Sequence, residues 1–268
     1  MSGLLTELGK RLADRWLTEL LIPGALFCLL LWTATTLRHG AALDWRRWDT
    51  AAEKSISSLS GAEAAARVLV LLVAAGLVGV VGRALAAVLR GVWFAPWLRV
   101  PLGWIVRARR AWAVWRGAPG YPVRYLPARP TWMGDRMRLL DERLDVQYGL
   151  RIGPLWSRLW VVLEDAERTP VTTAQADLVR ASGQVVWGLA AMCLVWVWWP
   201  ALLLGLCVSL LGIRRARAAV DNYAELVEAL VDTSQRRIAD LFGFALRDGT
   251  IHRDDARQYI TDRLRKGA

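Results

Sequence analysis

The chain has 268 residues, 55% of them hydrophobic, and its 35 basic side chains outnumber the 24 acidic ones. So much apolar side chain cannot be covered by a water-facing surface, which excludes an ordinary soluble protein. The net charge of +11 fits either nucleic-acid binding or contact with an anionic membrane surface, and the long apolar runs favour the membrane over nucleic acid.

The N-terminal segment, 1–19, predicts an amphipathic helix, because leucine and tryptophan recur every three or four positions. The stretch that follows, Leu20 to Leu37, carries no charge and approaches the roughly 20 residues that cross about 30 Å of hydrocarbon. We therefore predict a first span at 20–38. No small-residue cleavage motif follows it, so we expect this segment to be retained and not removed as a signal peptide.

A second apolar run, after a loop at 39–60 in which acidic and basic side chains balance, predicts a span at 63–82. The two spans together predict a transmembrane hairpin at 20–88. Small residues allow close helix packing in lipid, although glycine is also simply frequent in membrane helices, and both interpretations stay open here. The candidate packing residues of this run are Gly76, Gly79 and Gly82.

Tryptophan alternates with arginine in residues 89–117, directly after the second span. Such a segment could stack on single-stranded nucleic acid. Beside a span, an interfacial segment bound to anionic lipid headgroups is the simpler interpretation. The side chains expected at this membrane interface are Trp93, Trp97, Arg99, Trp104, Arg107, Arg109, Arg110, Trp112 and Trp115.

Residues 118–180 form a predicted cytoplasmic segment that begins with a proline-rich connector. Beyond the connector, apolar residues at three-and-four spacing from Met133 to Leu144 predict one helix, and a second short helix is expected around Leu155 to Leu163. Pro170 and the threonines after it would then stop one helix and cap the next, which enters the third span.

Three short runs in this segment are RPTWMGD at 129–135, QYGLR at 147–151 and LWSRLW at 155–160. They resemble the N-P-T-x-L-G-N, R-Y-G-L-D and W-P-R-L runs of a family of uncharacterised bacterial multi-pass membrane proteins, over less than a fifth of the chain. The resemblance implies a cytoplasmic insertion between paired spans, and it carries no activity with it. The positions that depart from the family's pattern are Arg129, Met133, Asp135, Arg151 and Ser157.

The third apolar run, 181–213, contains no charged side chain and can form either one tilted helix or a hairpin. One helix would measure about 50 Å, and a single crossing would leave an arginine cluster outside, against the bias that keeps arginine cytoplasmic. We therefore predict spans at 181–198 and 200–214, with one long helix and three crossings as the alternative. The hairpin assigns Trp198 and Trp199 to the outer interface, and Gly205 and Ser209 to helix packing.

Residues 215–268 predict cytoplasmic helices, with an apolar stripe from Val220 to Ala245 that needs cover from a helix of this chain or of a second copy. Gly249 would end the longer helix. The expected fold is thus an all-α integral membrane bundle of two transmembrane hairpins with a mainly helical cytoplasmic segment. We expect it in the plasma membrane, with both termini and the arginine-rich segments in the cytoplasm.

No catalytic motif occurs in the sequence, which has no phosphate-binding loop, no nucleophile elbow and no zinc-ligand spacing around its two histidines and three cysteines. We therefore expect no enzyme activity, no cofactor and no metal. The favoured interpretation is a non-enzymatic membrane anchor or scaffold that binds anionic lipid, a cytoplasmic partner or a second copy. The alternative is an oligomeric channel or membrane-disrupting effector, because small residues and backbone can line a pore.

Overall fold

The computed structural model describes residues 17–57, 61–96, 100–116, 125–246 and 248–261, together with Glu7. Helix makes up 84% of these residues and they contain no strand, which confirms the predicted all-α class. The predicted amphipathic helix at 1–19 lies almost entirely outside the described residues.

The described residues form ten α-helices. In chain order these are α1 (Ile22–Leu37), α2 (Trp45–Ser57), α3 (Gly61–Phe94), α4 (Gly103–Trp115), α5 (Trp132–Tyr148), α6 (Ile152–Val162), α7 (Asp165–Cys193), α8 (Pro200–Thr233), α9 (Gln235–Phe242) and α10 (Arg253–Asp255). A π-helical turn at Leu17–Leu21 leads into α1, a 3-10 turn at Leu194–Trp196 follows α7, and a second π-helical turn at Ala256–Thr261 follows α10.

The chain divides into two compact units. The first contains the described residues up to Arg90 together with Val179–Arg214, and the second contains Gly91–Leu178 together with the described residues from Arg215 onward.

Among the residues that the structure describes, three helical segments are long and apolar enough to cross a membrane: Leu17–Leu37, Gly61–Phe94 and Asp165–Trp196. They overlap the predicted spans at 20–38, 63–82 and 181–198, as expected for an integral membrane protein. The predicted span at 200–214 is not among them, because the apolar part of α8 runs only from Pro200 to Ile213 and arginines follow it directly.

Helices α1 and α3 lie antiparallel and approach each other closely where glycine removes the side chain. A Cβ atom on Gly24 would collide with the carbonyl oxygen of Ala75, and one on Gly79 would collide with the carbonyl oxygen of Leu20. Gly76 and Gly79 are both buried. The backbones therefore touch at this crossing, a contact that only small residues permit.

Helices α7 and α8 also lie antiparallel, on either side of a turn at residues 197–199. A Cβ on Gly212 would lie 2.7 Å from a methyl group of Val185, and one on Gly188 would meet the Ser209 hydroxyl. Gly205 fits against the Gly188 backbone in the same way. The uncharged run at 181–213 thus forms two packed helices in this structure and not one long helix.

Trp187 of α7 connects these helices to α1 and α3. A Cβ on Gly82 would lie 2.5 Å from the Trp187 indole, and the Phe27 ring centroid lies 5.7 Å from the Trp187 ring centroid. At the far end of the unit, the Trp198 Nε1 donates to the Ala42 carbonyl at 2.9 Å. The missing side chain of Gly82 therefore makes room for the Trp187 indole, which reaches both α3 and α1.

Helix α7 is longer than the sequence predicted, because it begins at Asp165 and continues through Pro170. Pro170 is the sixth residue of this helix, beyond the first turn, so the helix gives up one backbone hydrogen bond there and nevertheless continues. The hydroxyls of Thr172 and Thr173 both donate to the Thr169 carbonyl, at 2.9 and 2.8 Å. The predicted stop and cap at these residues is wrong: the threonines bond within the helix.

The core of the second unit is formed by α5, α6, α9 and the C-terminal half of α8. Its largest fully buried side chains include Leu140, Leu144, Leu155, Leu159, Val227, Val231 and Ile238. Helices of the same chain thus cover most of the apolar stripe that begins at Val220, although Leu241 and Ala245 at its end are exposed. Gly243, with φ of +72°, ends α9, so the predicted stop at Gly249 is wrong.

One polar group at the edge of this core is held neutral. The Tyr148 hydroxyl donates to Asp232 Oδ1 at 2.9 Å and accepts from Gln147 at 2.8 Å. Burial, followed by the hydrogen bond and the negative charge of Asp232, raises the pKa of Tyr148 to about 12. A tyrosine is protonated at physiological pH in any case, and the raised pKa widens the pH range over which Tyr148 donates to Asp232.

We expect Gly79→Ala to destabilise the protein by about 1–3 kcal/mol, because the new methyl group must push the α1 and α3 backbones apart. The matched control is Gly91→Ala in the same helix, where a Cβ would meet nothing within 4 Å. The control should be neutral or mildly stabilising, since alanine favours helix over glycine by about 1 kcal/mol. Thermal unfolding in detergent, followed by circular dichroism, measures both; equal melting temperatures would contradict the close approach.

Candidate membrane-interface site

Helix α4 exposes a row of aromatic and basic side chains. Trp104, Trp112 and Trp115 are 63%, 55% and 80% exposed, and their spacing puts them on one side of the helix. Arg107 and Arg110 are exposed beside them and line a shallow recess with Trp115. We define the α4 face as Trp104, Arg107, Arg110, Trp112 and Trp115.

The chemistry of the α4 face suits the boundary between hydrocarbon and headgroups. Indole combines an apolar body with one N–H donor and is therefore enriched at this boundary. A guanidinium group can donate two parallel hydrogen bonds to a phosphate. The Arg116 guanidinium lies 4.4 Å from the Trp112 ring centroid and adds a further positive charge at the end of the helix.

Arg109 lies on the other side of α4, away from the α4 face. Its Nη1 donates to Asp135 Oδ2 at 2.7 Å and also to the carbonyl oxygen of Arg129. The sequence grouped Arg109 with the interface residues, but in the structure this side chain attaches α4 to its own unit.

Asp135, in the first turn of α5, is only 5% exposed and has partners for both oxygens. Its Oδ1 accepts from the backbone N–H groups of Ala128 and Arg129, each at 2.9 Å, and lies 3.5 Å from Arg138 Nε. A buried carboxylate needs such partners, and the N-terminus of a helix favours its charge. We call Asp135 with its contacts to Arg109, Ala128 and Arg129 the Asp135 clamp.

The C-terminal end of α3 is held beside the clamp. The Thr131 hydroxyl donates to the Trp93 carbonyl, and Arg129 Nη1 donates to the Phe94 carbonyl at 2.9 Å. The last carbonyls of a helix have no partner within the helix. Side chains from the loop before α5 supply those partners here and fix where the chain leaves α3.

The local sequence explains this geometry. Thr131 is extended, with φ −103° and ψ 148°, and caps α5 by accepting from the Gly134 N–H at 3.1 Å. Pro130 disfavours helix at the residue before it. Gly134 lets the α3 end approach, since a Cβ there would lie 3.0 Å from the Trp93 carbonyl oxygen. The RPTWMGD run thus holds the ends of α3, α4 and α5 together.

The remaining predicted interface residues have different environments. Trp93 is half-buried and Trp199 is 42% exposed. Trp198 is half-buried and hydrogen-bonded to the Ala42 carbonyl. Trp97 and Arg99 lie outside the described residues.

Sequence reasoning missed the clamp, because Asp135 stands in a run that was noted only for its resemblance to other proteins. Two local signals were available: a threonine before an apolar helix, which predicts an N-cap, and an acidic residue in the first turn. Neither signal identifies Arg109 as the partner, since that contact joins residues 26 positions apart.

Among the described residues, no group of three His, Cys, Asp or Glu side chains is arranged to hold a metal ion.

We expect Thr131→Val to destabilise the protein by about 2 kcal/mol, since it removes both the cap of α5 and the donor to the Trp93 carbonyl. Thr233→Val is the matched control, because that exposed hydroxyl donates only within its own helix, to Ala229 and Leu230. Chemical unfolding in detergent compares the two variants. A loss of equal size in both would show that the Thr131 contacts add nothing.

No known protein family matches the sequence, and no curated protein or solved structure is similar to it. Evidence on function therefore comes from the chemistry of the site alone.

Proposed function

We propose that this protein is a non-enzymatic anchor or scaffold of the plasma membrane, with four spans and with both termini in the cytoplasm. In this proposal the α4 face lies in the headgroup layer of the cytoplasmic leaflet and binds anionic lipid. The second unit then forms the cytoplasmic surface that is available to a protein partner.

The exposed α4 face is the observation that carries the lipid-binding proposal. Three indoles that are more than half exposed would be unfavourable in water and stable at a bilayer surface. The connection from Phe94 to Gly103 is short, so α4 begins within about 30 Å of the end of a membrane-spanning helix. Each arginine near an anionic membrane surface contributes about 1 kcal/mol to the free energy of binding to that surface.

The distribution of arginine along the chain supports the proposed cytoplasmic location of both termini. Residues 82–180 contain 16 arginines against 8 acidic side chains, and Arg214 and Arg215 follow the third apolar run directly. Arginine flanking a span is retained in the cytoplasm. The turn at 197–199 is compatible with both arginine-rich segments on that side, provided that the short apolar start of α8 crosses the bilayer.

We expect the double variant Arg107→Ala/Arg110→Ala to bind phosphatidylglycerol about 10- to 30-fold more weakly than the wild type, since two arginines together contribute about 2 kcal/mol. Native mass spectrometry of the purified full chain, titrated with phosphatidylglycerol and with phosphatidylcholine, measures this. Phosphatidylcholine binding should change little, because that headgroup has no net charge.

The matched control for the lipid experiment is Arg151→Ala/Arg236→Ala, which removes the same charge from two exposed arginines of the same unit. This control should retain the preference for phosphatidylglycerol. An equal loss in both double variants would mean that net charge and not the α4 face attracts the lipid, and the proposal would fail.

We expect a cysteine added after Ala268 to be shielded in intact cells and to react with an impermeant maleimide only after the cells are permeabilised. Cys28, Cys193 and Cys207 are first replaced by alanine, since two of these thiols are exposed. A second cysteine at Leu43, which is 78% exposed in the loop after α1, should react from outside. Labelling at the C-terminus of intact cells would refute the four-span topology.

A further inference from the structure

We infer that Asp135 is a positioning residue for the α4 face: its negative charge strengthens the binding of anionic lipid by holding α4 in place. The inference rests on the proposed function, since it concerns the same lipid. Such a role is unusual for an acidic residue, because negative charge normally weakens binding to an anionic surface.

Helix α4 is attached to its unit by few contacts. None of its side chains is fully buried. Its apolar residues Ile105 and Val106 are only half-buried. The polar contacts that fix the helix come from Arg109 Nη1, which donates to Asp135 Oδ2 at 2.7 Å and to the Arg129 carbonyl oxygen. Asp135 is itself fixed by the N–H groups of Ala128 and Arg129. The clamp thus sets the direction in which Arg107 and Arg110 extend.

An amide in place of the Asp135 carboxylate would keep some of its hydrogen bonds and lose others. In Asp135→Asn the side-chain oxygen can still accept from Ala128 and Arg129, so the loop keeps its contacts. The new NH₂ group then faces the Arg109 guanidinium, and two donors cannot bond to each other. The substitution therefore removes the charged half of the α4 attachment and leaves the bond from Arg109 to the Arg129 carbonyl. It also removes the negative charge 3.5 Å from Arg138 Nε, whereas the apolar core of the unit does not include Asp135.

The direction of the change in lipid binding distinguishes a positioning role from simple charge attraction. Asp135→Asn adds one unit of positive charge to the protein, so electrostatic attraction alone predicts tighter binding to phosphatidylglycerol. A positioning role predicts the opposite, because Arg107 and Arg110 would no longer be held together. The two explanations differ in the direction of the change.

The experiment titrates the purified full chain with phosphatidylglycerol and follows binding by native mass spectrometry. We expect Asp135→Asn to bind about tenfold more weakly than the wild type. Asp240→Asn is the control with the same charge change, at an exposed position in α9, and should bind as tightly as the wild type or slightly tighter. Equal or tighter binding by Asp135→Asn would overturn the inference.

A second comparison separates positioning from general damage to the fold. In the Arg107→Ala/Arg110→Ala background, Asp135→Asn should cause no further loss, because the groups that it positions are absent. The same tenfold loss in that background would assign the effect to unfolding and reject the positioning role.

A direct readout of position keeps the inference independent of the lipid proposal. Spin labels on cysteines at Ala108 in α4 and Val146 in α5, in a cysteine-free background, report the distance between the helices. We expect a narrow distribution in the wild type and in Asp240→Asn, and a broad one in Asp135→Asn. Normal lipid binding by Arg107→Ala/Arg110→Ala would refute the lipid proposal. A distance distribution that stays narrow in Asp135→Asn would refute the clamp, whatever the lipid experiment shows.

Discussion

Arginine side chains placed beside a carboxylate, a carbonyl or a hydroxyl connect the helices in both units of this chain. Arg83 pairs with Glu19 at 2.9 Å, and Arg90 donates to the Ser182 hydroxyl at 2.7 Å, both in the first unit. In the second unit, Arg136 pairs with Asp221 at 2.5 Å and Arg237 with Glu167 at 2.7 Å. Arg83 and Arg90 lie in α3, and a charge in hydrocarbon without a partner is costly, so the first two contacts limit how much of that helix can lie in hydrocarbon.

Within the first unit, glycine has the role that apolar side chains have in a soluble core. Lipid tails are as apolar as leucine, so burying leucine brings little gain and close packing must hold the helices together. Gly24 and Gly79 bring two backbones into contact, and Gly82 makes room for Trp187. The second unit uses the ordinary hydrophobic effect instead, with a leucine-rich core closed by helices of the same chain.

The sequence predicted the helical class and the positions of the first two long apolar helices, because uninterrupted apolar runs such as Leu20 to Leu37 leave a local signal. Local signals misled at Pro170 and Gly249. Helix α7 continues through Pro170 although one backbone hydrogen bond is lost there, and Gly243 has the left-handed conformation that ends α9. At the site, the spacing of Trp104, Arg107 and Trp115 was visible in advance. The sequence did not show that Arg109 attaches α4 to its own unit, since this contact depends on a carboxylate that only the tertiary fold brings within reach.

The proposed position of α4 at a bilayer surface would explain why a charged clamp holds this helix. Its apolar groups can contact lipid or pack against protein, and a side chain committed to one surface is unavailable to the other. Helix α4 leaves its three indoles exposed and buries no side chain completely. An ion pair can supply the missing attachment without using any apolar surface, provided that both charges have further partners. The contacts of Asp135 with two backbone N–H groups, and of Arg109 with a carbonyl, meet that condition.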